Sequence, residues 1–209
     1  MSSRVSSRGV FIVLEGGDAS GKSTQQRMLV DHLVSRGREV VATFEPGATS
    51  IGRSIRELLL DSDEPFDPIA EALLMAADRA QHVAEVVRPA LARGADVVSD
   101  RFLPSSFAYQ GVARGVGVDA IERANQLATG GLVPDLVVVI DVPEIVALAR
   151  RTDKPDRMER ESRECHESVR AAYRELAPRF GWVVIDGSGS PEAVAEHVRA
   201  AVTPFLVRI

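Results

Sequence analysis

The 209 residues are 45% hydrophobic and 26% charged, enough for one α/β domain with a sizeable core. A net charge of −5 and a pI near 5.5 argue against general attraction to nucleic acid or anionic membrane, so any anion site must be local. A single cysteine, Cys165, excludes an internal disulfide and a thiolate metal cluster; with no apolar segment near the ~20 residues of a membrane span, the expected home is the cytoplasm.

In chain order, residues 10–15 predict a strand and residues 22–36 a helix stopped at Gly37. A second strand is expected over 39–44, and a helix over 50–61. After Pro65 and Pro68 comes a long amphipathic helix over 69–93, with a kink or break near Val87–Arg88 imposed by Pro89. Residues 95–99 predict the third strand, 105–114 and 119–127 two short helices, and 136–142 the fourth and most hydrophobic strand. A helix over 144–151, a polar loop over 152–156, a charged helix over 158–180, a fifth strand over 182–185 and a last helix over 191–205 complete the chain. Five nearly continuous apolar strands separated by helices predict a parallel sheet covered on both faces.

The first strand runs into Gly16-Gly17-Asp18-Ala19-Ser20-Gly21-Lys22-Ser23-Thr24, where Gly16, Gly21, Lys22 and Ser23 fit the phosphate-cradling pattern G-x-x-x-x-G-K-[ST]. Glycines let successive N–H groups converge on phosphate oxygens, and the helix that follows aims its positive end at the same anion. Lys22 adds a mobile cation, and the Ser23 hydroxyl is a ligand for Mg²⁺. This is a nucleotide phosphate site, so the fold class is an α/β P-loop NTPase fold. Ligands of an open parallel sheet collect at the carboxyl ends of its strands. Glu45-Pro46-Gly47 and Asp100-Arg101 end the second and third strands there, so one site is expected. Asp100 stands where an acid would hold Mg²⁺. Arg101 offers a fork for a second phosphate, which points to transfer onto a phosphorylated acceptor.

The block Asp100-Arg101-Phe102-Leu103-Pro104-Ser105-Ser106-Phe107-Ala108-Tyr109-Gln110-Gly111 resembles the D-R-[YFH]-x-x-S-S-x-A-Y-Q-G signature of thymidylate kinases. Gly17–Gln25, Glu45-Pro46-Gly47-Ala48-Thr49, Ala77-Asp78-Arg79-Ala80-Gln81-His82, residues 125–136 and Asp156-Arg157-Met158-Glu159 resemble further stretches of that family, in family order. The resemblance implies one kinase domain over residues 1–209, a short mobile lid at about 150–160, ATP and Mg²⁺ as cofactors, dTMP as acceptor, and a homodimer packed through helices. It implies that Lys22 and the loop from Gly16 to Thr24 hold the ATP phosphates, that Ser23 and Asp100 place the metal, and that Arg101 fixes the acceptor phosphate. Asp18 would meet the sugar 3′-hydroxyl, Glu45 and Ser105 would line the acceptor site, Arg79, Ser106 and Gln110 would read the base, and Tyr109 would lie beneath the sugar. With no arginine in the loop interior, the transition-state cation is expected from the lid, with Arg151 and Arg157 as candidates and Arg150 against adenine. Three departures from the family pattern stand out. Phe44 replaces an arginine whose place Arg53 or Arg56 would take, Met75 replaces an aromatic on the thymine ring, and Ala48 replaces a glycine. Two alternatives stay open. One is a kinase for another nucleoside monophosphate or a deoxynucleoside. The other is a nucleotide-driven switch, since Thr152-Asp153-Lys154-Pro155-Asp156 loosely resembles a guanine-reading motif.

Overall fold

The structure, a computed structural model, describes residues 8–61, 65–150, 157–158 and 160–206. Five parallel strands, β1 (Phe11–Glu15), β2 (Val40–Phe44), β3 (Asp96–Asp100), β4 (Leu136–Asp141) and β5 (Val183–Asp186), lie in the order β2-β3-β1-β4-β5. β1 therefore has β3 on one side and β4 on the other; the chain runs from β1 to β2 on the first side and later crosses from β3 to β4 on the second. That reversal opens a crevice at the carboxyl end of β1, where the glycine-rich loop begins.

Alternation along β1 explains the two buried faces. Phe11 and Val13 enter one core with Val83, Val87, Phe102 and Tyr173, whereas Ile12 and Leu14 enter another with Leu29, Leu33, Val194 and Val198. Helices α1 (Lys22–Ser35) and α9 (Pro191–Leu206) cover the second face. The first face carries α3 (Pro68–His82), α4 (Arg88–Ala92), α5 (Leu103–Ser106) and α8 (Arg163–Phe180). Helices α2 (Ser50–Asp61), α6 (Val118–Thr129) and α7 (Glu144–Arg150) complete the set, with α3 packed between α2 and α6. Among the described residues no helix is long and apolar enough to cross a membrane.

Three expectations are corrected. The helix expected over 69–93 is not simply kinked at Pro89: it widens into a π-helical stretch, Val83–Val87, immediately before Arg88 and Pro89. Proline offers no N–H to the preceding turn, and a wider turn relieves the crowding. The helix expected over 105–114 is one α-turn followed by a π-helical segment, Phe107–Ala113. The charged helix expected from 158 begins at Arg163, because Ser162 accepts from the Cys165 N–H and caps it there. On the first face Phe107, Phe180 and Trp182 stack, with Phe180 and Trp182 ring centroids 5.4 Å apart and Phe107 and Trp182 6.3 Å apart.

The phase of α1 gives a direct check, because Leu33 is 0% and its neighbour Val34 53% exposed. Leu33→Ala should cost about 2–5 kcal/mol of unfolding free energy in denaturant titration, and Val34→Ala no more than about 0.5 kcal/mol.

Candidate active site

The glycine-rich loop carries positive φ at Gly16 (138°), Ala19 (56°) and Gly21 (95°). At Gly16 a Cβ would lie 2.5 Å from the Ile140 carbonyl oxygen, so the loop passes β4 at a distance that only glycine permits. α1 then starts with no side-chain cap and no acid in its first turn, which leaves its N–H groups for an anion. Lys22 is buried, and its Nζ donates to the Gly16 and Gly17 carbonyls at 3.2 and 2.7 Å. Burial first, then the Arg101 charge, lower its pKa. The Ser23 hydroxyl donates to Asp100 Oδ2 at 2.6 Å, joining the first helical turn to the end of β3.

Arg101 follows with φ +72°, a left-handed conformation rare for a residue with a side chain and costing roughly 1–2 kcal/mol. Two bonds hold it there: its N–H donates to Leu14 O at 3.0 Å, and Ser99 Oγ donates to Arg101 O at 2.7 Å. The turn sends the guanidinium under the phosphate loop, where it meets Gly16 O (3.2 Å), Ser105 Oγ (3.0 Å) and the Asp18 carboxylate. It also lies over the Tyr109 ring, 5.3 Å from the centroid, and the Tyr109 hydroxyl donates to Asp18 Oδ2 at 3.0 Å. Burial alone would raise the Asp18 pKa, but Arg101 and Lys22 outweigh it and hold the carboxyl below its ordinary value. His166 stands 4.0 Å from the same carboxylate.

Beneath this group Glu15, the last residue of β1, is fully buried. It accepts from Phe102 N (2.9 Å), Ser105 N (3.1 Å), Ser105 Oγ (2.7 Å) and the Tyr173 hydroxyl (2.8 Å). Burial raises its pKa, with Arg101 and these donors opposing the rise. A further layer comes from α3, whose inward face sets Glu71, Asp78, Arg79 and His82 among the buried Ala72 and Ala76. Arg79 donates to Glu45 Oε2 (2.8 Å), Ser106 Oγ (3.0 Å), Phe102 O (3.0 Å) and Asn125 Oδ1. His82 joins Glu45 Oε1 at 2.8 Å to Thr43 Oγ1 at 2.7 Å. Asp78 Oδ1 accepts from Gly47 N at 3.0 Å, while its Oδ2 is buried with no hydrogen-bond partner among the described residues. Gly52 makes room for it, since a Cβ there would lie 2.4 Å from Asp78 Oδ1.

One cleft of about 440 Å³ runs from Lys22, Ser23 and Asp100, past Asp18 and Arg101, to Met75, Arg79, Ser106 and Gln110. Glu45, Arg56, Ser105 and Tyr109 also line it, and Arg56 Nη1 donates to Pro46 O at 2.8 Å. Arg53 is exposed and does not line the cleft. A neighbouring hollow of about 410 Å³ joins Ala19–Gln25 to Arg150 and Gly187, and Arg150 donates to the Gly187 and Gly189 carbonyls at 2.9 and 3.2 Å. The acceptor-side and loop residues singled out from sequence are thus brought together. Arg157 is not beside the phosphate loop: it bonds Glu71 Oε2 at 2.7 Å and Leu59 O at 2.6 Å, and lies over Phe66. Arg151, Lys154 and most of the 150–160 segment lie outside the described residues. Sequence reasoning passed over Glu15, Glu71, Asp78 as a separate group, and Asn125. For the α3 acids the signal is present, because Glu71, Asp78 and His82 fall on the apolar stripe of an amphipathic pattern.

A family model described as thymidylate kinase matches residues 14–198. The chain is 47% identical over 203 residues to a thymidylate kinase from Gloeobacter violaceus, covering 94% of this chain and 96% of the relative. It is 48% identical over 204 residues to one from Symbiobacterium thermophilum (95% of each chain), and 48% identical over 198 residues to one from Leifsonia xyli subsp. xyli (91% of this chain, 93% of the relative).

Burial, and then the Glu45 carboxylate, raise the Asp78 pKa from 3.8 to about 6. A carboxyl whose folded pKa is raised stabilises the fold below its unfolded pKa, and that contribution is lost as pH climbs through about 6. Asp78→Asn retains an acceptor for Gly47 and cannot ionise. In thermal unfolding across pH the variant should gain on the parent by up to about 2–3 kcal/mol at pH 8, with the gain gone by about pH 4.

Proposed function

The chain belongs to the thymidylate kinase family, and from that premise we propose that its cleft moves the γ-phosphoryl group of ATP onto dTMP, giving ADP and dTDP on the way to dTTP. The observation that carries this reading is the single cleft with a phosphate loop at one end, a polar base pocket at the other and Arg101 between them. A machine for hydrolysis alone has no need of the second half.

In this reading the loop amides and Lys22 hold the donor phosphates, with Arg150 and the Gly187–Gly189 turn beside the adenine. The Ser23 hydroxyl and Asp100 carboxylate form an oxygen pair of the kind Mg²⁺ takes alongside nucleotide phosphates, and they would hold it directly or through water. Bound there, the ion would neutralise charge on the transferred group. Arg101 receives the acceptor phosphate, and Arg56 supplies the cation missing at Phe44. Asp18, ionised and shared with Tyr109, accepts from the sugar hydroxyl. Arg79, Ser106 and Gln110 meet the base edge, with Met75 against its face. Positioning and charge neutralisation supply most of what this chemistry asks of a protein. The closing cation is assigned to the lid at about 150–160. Arg151 is one candidate, and Arg157 would have to leave Glu71 to serve. Ile51 and Leu58 on α2, with Ile69 and Leu73 on α3, leave apolar surface exposed, which supports a homodimer through these helices. Small free nucleotides as substrates and a single cysteine fit a cytoplasmic enzyme.

With ADP release followed across dTMP, dUMP, dCMP, dGMP and thymidine, dTMP should be the best acceptor. A better acceptor among the others, or ADP release indifferent to any acceptor, would overturn the reading. Arg101→Met should lower kcat/KM for dTMP by about 100-fold or more while the KM for ATP moves only a few-fold.

A further inference from the structure

Gln110 enters the cleft with half of its amide already engaged. The side chain is buried and lines the base end beside Ser106 and Tyr109. Its Nε2 donates to Glu71 Oε1 at 2.9 Å. Arg114 Nε donates to the same oxygen at 3.3 Å, and Arg157 Nη2 to Glu71 Oε2 at 2.7 Å. Burial would raise the Glu71 pKa, but the hydrogen bonds from Arg157 and Gln110 and the charge of Arg114 outweigh it and leave the carboxyl below its ordinary value. An ionised carboxylate accepts and never donates. Facing such a partner, an amide has one workable orientation, with NH₂ toward the acid and the carbonyl oxygen away from it. Among the described residues nothing donates to Gln110 Oε1, so that oxygen is the polar atom offered to the cleft.

We infer that Glu71 is a specificity-determining residue that acts through Gln110 without touching the acceptor: it pins a hydrogen-bond acceptor at the base end of the cleft, beside the Arg79 donor. The inference rests on the dTMP reading above. Among the described residues Arg79 makes four hydrogen bonds with its five N–H groups, leaving one Nη2 N–H, and Arg79 and Gln110 line the same cleft. Donor and acceptor side by side match a pyrimidine with a carbonyl next to a ring N–H. Thymine and uracil offer O4 to Arg79 and N3–H to Gln110. Cytosine reverses both, setting its amino group against the guanidinium and its N3 lone pair against Oε1. Two reversed polar contacts in a buried site discriminate strongly, because each leaves a group unpaired. Guanine carries the same carbonyl and N–H pair as thymine, so this device sorts pyrimidines, and purines are left to the walls of the cleft.

The test is the ratio of kcat/KM for dTMP to that for dCMP. Glu71→Gln is isosteric, but its amide donates as well as accepts, so Gln110 is free to present either end. The ratio should fall by about tenfold or more. Glu71→Asp retains an acceptor-only group and should keep more of the ratio. Arg114→Met removes a neighbour of Glu71 without releasing Gln110 and should hold the ratio within about threefold. If Glu71→Gln slows both substrates together at an unchanged ratio, or Arg114→Met lowers the ratio as far, Glu71 is a structural acid and the inference fails. Should Glu71→Gln not fold, nitrogen-15 NMR of the parent protein decides. The Gln110 NH₂ should stay protected from hydrogen exchange and shift little when dTMP binds, and an NH₂ that loses protection there overturns the inference. A parent enzyme that ignores dTMP altogether sinks the reading of the cleft instead, which keeps the two failures apart.

Discussion

The largely shielded pairing of Arg101 with Asp18 is the joint on which the cleft depends. A guanidinium removed from water must be matched by charge and by hydrogen bonds, and stripping one partner from such a pair costs roughly 3–5 kcal/mol. Arg101 finds its matches on both sides: the Gly16 carbonyl and Asp18 belong to the glycine-rich loop, Ser105 and Tyr109 to the segment that follows β3. Two segments more than eighty residues apart in sequence are thereby held in one geometry. The left-handed turn at Arg101 is the local strain that this arrangement tolerates, and the bonds to the Leu14 carbonyl and from the Ser99 hydroxyl hold it.

Glu15 and Glu45 repeat the pattern one layer further in. Glu15 ties β1 to the start of α5 and to Tyr173 of α8, so the strand that launches the phosphate loop also fixes the turn after Arg101. Glu45 ties the end of β2 to Arg79 and His82 of α3. The ends of β1 and β2 are thus clamped by buried acids against helices that line the cleft. A preorganised cleft of this kind has little left to rearrange as charge moves between phosphates.

Much of this was legible in the sequence, for physical reasons. The alternation of β1, the glycines at 16 and 21 and the Lys-Ser that follows are local signals, and the strand, loop and helix lie where the pattern puts them. Asp100-Arg101 was readable because charged residues interrupt an apolar run at its carboxyl end. The π-helical turns were not readable, since an extra residue in a turn leaves no mark on a 3.6-residue period. Nor was the start of α8, where a charged stretch looks helical until the Ser162 cap is seen. The buried acids were hidden for another reason. Glu71 and Glu15 gain their meaning from Gln110, Arg157, Ser105 and Tyr173, partners 39 to 158 residues away in sequence. The position of Arg157 on Glu71, away from the phosphate loop, likewise comes from tertiary packing and not from its neighbours in the chain.

The aromatic stack on the first face of the sheet has a practical meaning. The chain has one tryptophan, and Trp182 rests on Phe107, the first residue of the π-helical segment that presents Tyr109 and Gln110. Its emission therefore reports the packing around Phe107, two residues before Tyr109 in the chain. The molecule carries its own optical gauge of that segment, legible without any dye attached.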